Sequence, residues 1–106
     1  YDEREVSVHA VLDHPHIARL IDSFRRGGSH YLAVELCQGG ELYTAVRAMD
    51  RLPEADARVM FRQIMSAVAY MHSNGVAHRD LKLENFLLER RGVPLTDNSL
   101  KLIDFG

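Results

Sequence analysis

Two short polar motifs constrain this chain more than anything else in it. HRDLKLEN runs from His78 to Asn85, and Asp104-Phe105-Gly106 begins nineteen residues after that asparagine, at the end of the 106 residues. Between them lie two short apolar runs, FLL from Phe86 to Leu88 and LKLI from Leu100 to Ile103, each with the length and composition of a buried strand. Clustered Asp, Asn and Lys usually mean a solvated loop, and either tripeptide alone reads that way. Both together, in this order and bracketed by apolar runs, do not.

The rest of the chain predicts a mixed set of elements. Residues 2 to 12 (DEREVSVHAVL) carry early acidic charge and place Val8, Val11 and Leu12 at helical spacing, a helix ended before His14-Pro15. Leu20 and Ile21 stand between polar Arg19 and Asp22, Gly27-Gly28 marks a hairpin, and YLAVEL (Tyr31 to Leu36) reads as a buried strand. Taken alone, Gly39-Gly40 is a helix-breaking turn. Pro53 suits the first helical position, with Glu54 and Asp56 at the positive helix end. Met60, Ile64, Ala67, Val68 and Met71 then repeat at three and four, a core stripe, and Asn74-Gly75 closes the helix. Glu89 to Ser99 is a polar loop joining two strands.

In this order the motifs resemble part of a eukaryotic Ser/Thr protein kinase catalytic domain. The resemblance implies an α+β fold class: the C helix and last two strands of the N-lobe, the hinge, and the first helices and catalytic loop of the C-lobe. It divides the chain into residues 1–36 (end of the N-lobe), 37–40 (hinge) and 41–106 (start of the C-lobe). ATP and Mg²⁺ are the implied cofactors.

By the same resemblance, Asp80 aims the substrate hydroxyl. A carboxylate with a pKa of about 3.9 is a poor general base at neutral pH, so positioning outweighs basicity. Lys82 meets the γ-phosphate, and Asn85 and Asp104 supply hard oxygen ligands to two Mg²⁺ ions. Glu5 is the C-helix carboxylate that pairs with a strand-three Lys, absent from this chain, and without that Lys it stays solvated. At the hinge, Val34 is the gatekeeper, the Glu35 carbonyl and the Cys37 backbone meet the adenine edge, Glu41 faces the ribose, and Leu87 forms the floor under adenine. Glu84 is counted with this nucleotide set.

Lys82 in this loop resembles Ser/Thr kinases, so the expected partner is a protein substrate with a Ser or Thr acceptor, and Glu41 and Glu84 favour a basic residue upstream of it. CQGGEL, the ENFLL run and the lengthened loop before LKLIDFG look similar to the calcium/calmodulin-dependent and calcium-dependent kinase group. Leu83 departs from the proline common there, and no EF-hand loop implies calcium control. The Gly-rich phosphate loop, the strand-three Lys and the segments after Gly106 are needed for a full site, so this chain alone is expected to be nearly inactive. Two other readings compete: a pseudokinase or binding module using the same fold, and a helical adaptor resembling kinases by chance.

His14, His16, His72 and His78 lack the Cys partners and close spacing of zinc sites, and His78 reads as a backbone anchor. His9, four residues after Glu5, stands where the family has a large apolar side chain stacking towards Phe105. A satisfied core histidine is favoured there over a pH sensor, and His9→Leu is expected to favour the active arrangement of Phe105 in a whole domain. A net charge of −2 argues against a nucleic-acid surface. The single cysteine, Cys37, excludes an internal disulfide and suits a reducing compartment. With no signal peptide or twenty-residue apolar span, a soluble cytoplasmic protein away from membranes is expected.

Overall fold

The computed structural model describes residues 3–76 and 81–103, with side chains from Val6 onward. Helix α1 (Glu3–Ala10) leads to a two-stranded antiparallel ribbon of β1 (Leu20–Arg26) and β2 (Ser29–Val34). A short helix α2 (Leu42–Arg47), the long helix α3 (Glu54–Ser73) and a second antiparallel pair, β3 (Phe86–Leu88) and β4 (Leu100–Leu102), follow.

Helix α1 stops two residues short of the expected end. The amides of Val11 and Leu12 bond the carbonyls of Val8 and His9, at 3.3 and 3.2 Å, tightening the last turn to i→i+3 geometry. Leu12 thereby turns into the core at 2% exposure, while Val11, expected on the same stripe, is left 73% exposed. His9 is buried, and its Nε2–H donates to the Ala18 carbonyl at 2.5 Å, which agrees with a satisfied core histidine. Its expected partner Phe105 lies outside the described residues.

The hairpin forms at Gly27-Gly28, where φ values of +58° and +82° suit a tight two-residue turn. Ile21 is the extra residue at a register shift between Leu20 and Asp22. The expected buried strand from Tyr31 to Leu36 needs correcting. β2 ends at Val34, half-buried Leu32 and Val34 alternate with exposed Tyr31 and Ala33, and Leu36 is 76% exposed. Among the described residues, only one face of the ribbon is covered. Its open face carries a cross-strand stack of Phe24 on Tyr31, ring centroids 5.3 Å apart.

The core lies elsewhere. Met60, Ile64, Ala67 and Met71 of α3 are buried against Leu12, Ile17, Leu42, Phe86, Leu88, Leu95, Leu100 and Leu102, with Val68 partly buried beside them. Pro53 precedes α3 in an extended conformation, so the helix starts at Glu54, one residue later than expected. It ends as the Asn74-Gly75 pair predicts: Gly75 N–H bonds His72 O, Val76 N–H bonds Met71 O, and Gly75 takes φ +71°.

β3 and β4 sit at the centre of four aligned segments. On the outer side of β3, Gln38 N–H bonds Glu89 O, Gly39 N–H bonds Leu88 O, and Leu88 N–H bonds Gly40 O. On the outer side of β4, Leu102 N–H bonds His16 O and Ala18 N–H bonds Leu102 O. The segment after β2 and the turn after α1 thus act as flanking strands. Gly39 approaches β3 so closely that a Cβ would fall 2.6 Å from both Leu88 Cβ and Arg90 O. Gly39→Ala should therefore destabilise the protein by about 2–3 kcal/mol, because backbone and a strand Cβ cannot yield as a flexible side chain does. Gly40→Ala, at φ +81° but in open space, should cost about 1 kcal/mol. Urea midpoints of the two variants measure the difference, and equal losses would refute the close-approach explanation.

Candidate active site

The site is built at the ends of β3 and β4. A 3₁₀ turn, Leu83–Asn85, leads directly into β3, and Asn85 is buried at 6% exposure. Its amide donates to Lys82 O at 3.1 Å, and its carbonyl accepts from Ile103 N–H at 2.9 Å. That second bond places the asparagine across from the residue immediately before Asp104. Lys82 is exposed and extended, with φ −148° and ψ 163°, and Glu84 is exposed on the turn. Asp80, His78 and Asp104 lie outside the described residues, as does the side chain of Glu5.

The residues expected at the adenine edge cluster around the segment that flanks β3. Val34 closes β2 opposite Leu20, and Glu35 N–H continues the pairing to Arg19 O at 2.9 Å. Leu87 is half-buried in β3 and bridged to exposed Glu41, which precedes α2. Strand alternation turns Leu87 away from Phe86 and Leu88, which enter the core. The Cys37 thiol donates to the Glu35 carbonyl at 3.7 Å, the carbonyl expected to meet adenine. Burial pushes the Cys37 thiol pKa up, and the Glu35 carboxylate adds to the shift.

The Glu35 side chain has a separate task. Its Oε1 accepts from Arg19 N–H at 2.9 Å and lies 3.5 Å from Lys101 Nζ. Lys101 sits opposite Leu87 in β4, is buried at 8% exposure, and also has Glu89 Oε2 at 3.9 Å. One ammonium between two carboxylates thus joins the segment after β2 to the strand that runs into Asp104. A second link holds the turn after α1 to α3: Asp13 N–H donates to Tyr70 Oη at 2.8 Å, and His14 Nε2 meets Ser66 Oγ at 3.1 Å. Burial lowers the pKa of both His14 and His16. The His16 charge adds for His14, while the bond to Leu100 O partly offsets the shift for His16.

Sequence reasoning missed Lys101, although a charge inside an apolar run was its signal. The buried cation implies a measurable cost. Lys101→Met, leaving Glu35 and Glu89 partly buried without their cation, should lower stability by about 2 kcal/mol, below the cost of breaking a fully buried pair because both carboxylates retain solvent. Lys101→Arg should recover most of it, as read by chemical denaturation. A neutral Lys101→Met would show that the bridge is incidental.

Comparison with known proteins agrees with this geometry. The family model described as "Protein kinase domain" matches residues 2–106. Maternal embryonic leucine zipper kinase of Xenopus tropicalis is 48% identical over 102 residues, covering 96% of this chain and 15% of that protein. Hormonally up-regulated neu tumor-associated kinase of Mus musculus is 46% identical over 103 residues, covering 97% and 14%. The chain thus spans about a seventh of the length of these relatives. The crystal structure of Rad53 1-466 in complex with AMP-PNP superimposes with a TM-score of 0.84 at 39% identity, over 97% of this chain and 27% of that one. With an α+β architecture that matches a fragment of the kinase fold, this chain belongs to the protein kinase domain family.

Proposed function

We propose that this chain is the nucleotide-edge and catalytic-loop portion of a Ser/Thr kinase, one that transfers the γ-phosphoryl group of ATP to protein hydroxyls once the whole domain is present. The observation that carries this reading is the bond from Ile103 N–H to Asn85 O. It brings the residue before Asp104 beside Asn85, which is the neighbourhood that two Mg²⁺ ions on one nucleotide need. The donor set fits magnesium: one carboxamide and one carboxylate oxygen, both hard ligands. When bound, Mg²⁺ neutralises charge on the phosphates during transfer.

The chain's own residues do the positioning. Asp80 orients the acceptor hydroxyl, Lys82 meets the γ-phosphate, and Asn85 with Asp104 would hold the two Mg²⁺ ions. The Glu35 carbonyl and the Cys37 backbone receive the adenine edge, Val34 and Leu87 enclose it, and Glu41 and Glu84 complete the nucleotide set. Glu5 supplies the C-helix carboxylate for a strand-three Lys. The division follows: 1–36 ends the N-lobe, 37–40 is the hinge, and 41–106 begins the C-lobe. The AMP-PNP in the Rad53 complex supports ATP as the nucleotide, and the two similar kinases support a protein substrate. The resemblance to the calcium/calmodulin-dependent group supports Ser or Thr acceptors with a basic residue upstream. We place the protein inside the cell, and among the described residues no helix is long and apolar enough to cross a membrane.

In a protein carrying this chain within a whole kinase domain, Asp80→Asn should lower kcat on the order of 10³-fold with little change in ATP affinity, and Asp104→Asn should lower both. Steady-state kinetics with a Ser/Thr peptide library reads these effects together with the upstream Arg or Lys preference. Undiminished transfer by the Asp80 and Asp104 variants would sink the assignment. A wild-type domain that binds nucleotide without turnover would instead favour the pseudokinase reading.

A further inference from the structure

Strand β4 is only three residues long, Leu100–Leu102, and its pairing with β3 covers three positions, Phe86 with Leu102, Leu87 with Lys101 and Leu88 with Leu100. The ladder continues on both sides, through Glu89 N–H to Ser99 O and Ile103 N–H to Asn85 O, and a slip of one residue would turn Leu100 and Leu102 out of the core and reverse every side chain that follows. The outer edge of β4 is closed in two different ways. At Leu102, both backbone groups pair with backbone, the amide to His16 O at 3.0 Å and the carbonyl to Ala18 N–H at 2.9 Å. At Leu100, both groups pair with side chains: the amide donates to Gln63 Oε1 at 2.7 Å, and the carbonyl accepts from His16 Nδ1 at 3.1 Å.

Gln63 reaches across from α3 and makes a second bond, its Nε2 donating to Asn98 O at 3.0 Å. Its amide therefore presents one acceptor and one donor to β4 and the residues before it, as the peptide group of a neighbouring strand would. The partners also fix the orientation of the amide, because Leu100 N–H requires an acceptor and Asn98 O a donor. Asn98 is itself buried at 4% exposure and ties the loop together, its side chain bonding Arg90 N–H, Arg90 O, Val93 O and Ser99 N–H. The long loop from Glu89 to Ser99 thus arrives at β4 already constrained.

We propose that Gln63 and His16 are positioning residues that complete the outer edge of β4 and, together with its pairing to β3, hold its register, and through it the place of Asp104. The proposal rests on the reading of Asp104 as a metal ligand. Neither side chain touches nucleotide or substrate in this scheme. Gln63 works through an amide of the right length: Glu lacks the donor for Asn98 O, and Met lacks both groups. His16 works through one N–H, which an Asn side-chain amide can supply from nearly the same place. That N–H is present in the imidazolium and in the Nδ1–H neutral form, so the edge does not depend on His16 being charged.

The test uses a protein carrying this chain in a whole kinase domain, with Gln63→Met, Gln63→Glu, His16→Leu and His16→Asn. Amide hydrogen exchange is read at Leu100 and, as an internal control, at Ala67 in α3. Gln63→Met should speed exchange at Leu100 about tenfold or more while Ala67 changes less than about twofold, and Gln63→Glu, which keeps the acceptor for Leu100 N–H and loses only the donor to Asn98 O, should speed it less than Gln63→Met does. Kinetics should show kcat falling about ten- to a hundredfold with the KM for ATP nearly constant, the signature of a misplaced reacting group with an intact adenine edge. His16→Leu should act in the same direction, and His16→Asn should restore both readouts. Leu100 exchange within twofold of wild type in Gln63→Met overturns the register claim, whether or not the wild-type protein turns over. Equal acceleration at Ala67 also overturns it, since that is general loss of stability. Faster Leu100 exchange with unchanged kcat overturns the link to Asp104. A wild-type protein without transferase activity defeats the kinase reading by a separate result.

Discussion

The backbone hydrogen bonds of β4 are the constraint on which the rest of the structure depends. Every peptide group of a buried strand must find a partner, because an orphaned one costs as much as a lost hydrogen bond. β4 meets that requirement from four directions: β3, the turn after α1, the side chain of Gln63 and the imidazole of His16. Segments that the chain separates by more than eighty residues are thereby held to one short strand. Asn85 and Ile103 inherit their mutual position from it.

A second consequence is the way the two halves of the chain meet. The β1–β2 ribbon lies outside the hydrophobic core cluster of the described residues, and polar and backbone contacts tie the segments on either side of it to the rest. His9 bonds Ala18 O, Glu35 reaches Lys101, and Gln38 and Gly39 pair with β3. Such contacts are directional, unlike apolar packing, and they hold an orientation with little buried area. The segment expected to carry adenine therefore has defined geometry at a place where hydrophobic burial is thin.

Much of this was legible in the residues. The α3 stripe, its Gly75 cap, the Gly27-Gly28 hairpin and the two short strands all follow from local rules of period and turn chemistry, and they appear where those rules place them. The errors cluster where a neighbour decides. Val11 has the spacing of a core residue, yet a tightened helix end turns it outward. Tyr31 to Leu36 has the composition of a buried strand, yet one face of the ribbon is open, and composition cannot say which face another element will cover. Gly39 looks like a turn glycine, while the reason for it is the proximity of Leu88 and Arg90, about fifty residues away.

The sequence by itself determined the family, because the HRDLKLEN and DFG motifs place particular residue types at fixed local spacing and those can be read along a line. Only the tertiary structure decided that Glu35 engages Lys101, that Gln63 and His16 finish the edge of β4, and that Asn85 stands beside Ile103. These are contacts between residues far apart in the chain. Their distances are set by which elements pack together, and no local pattern of residues encodes that packing.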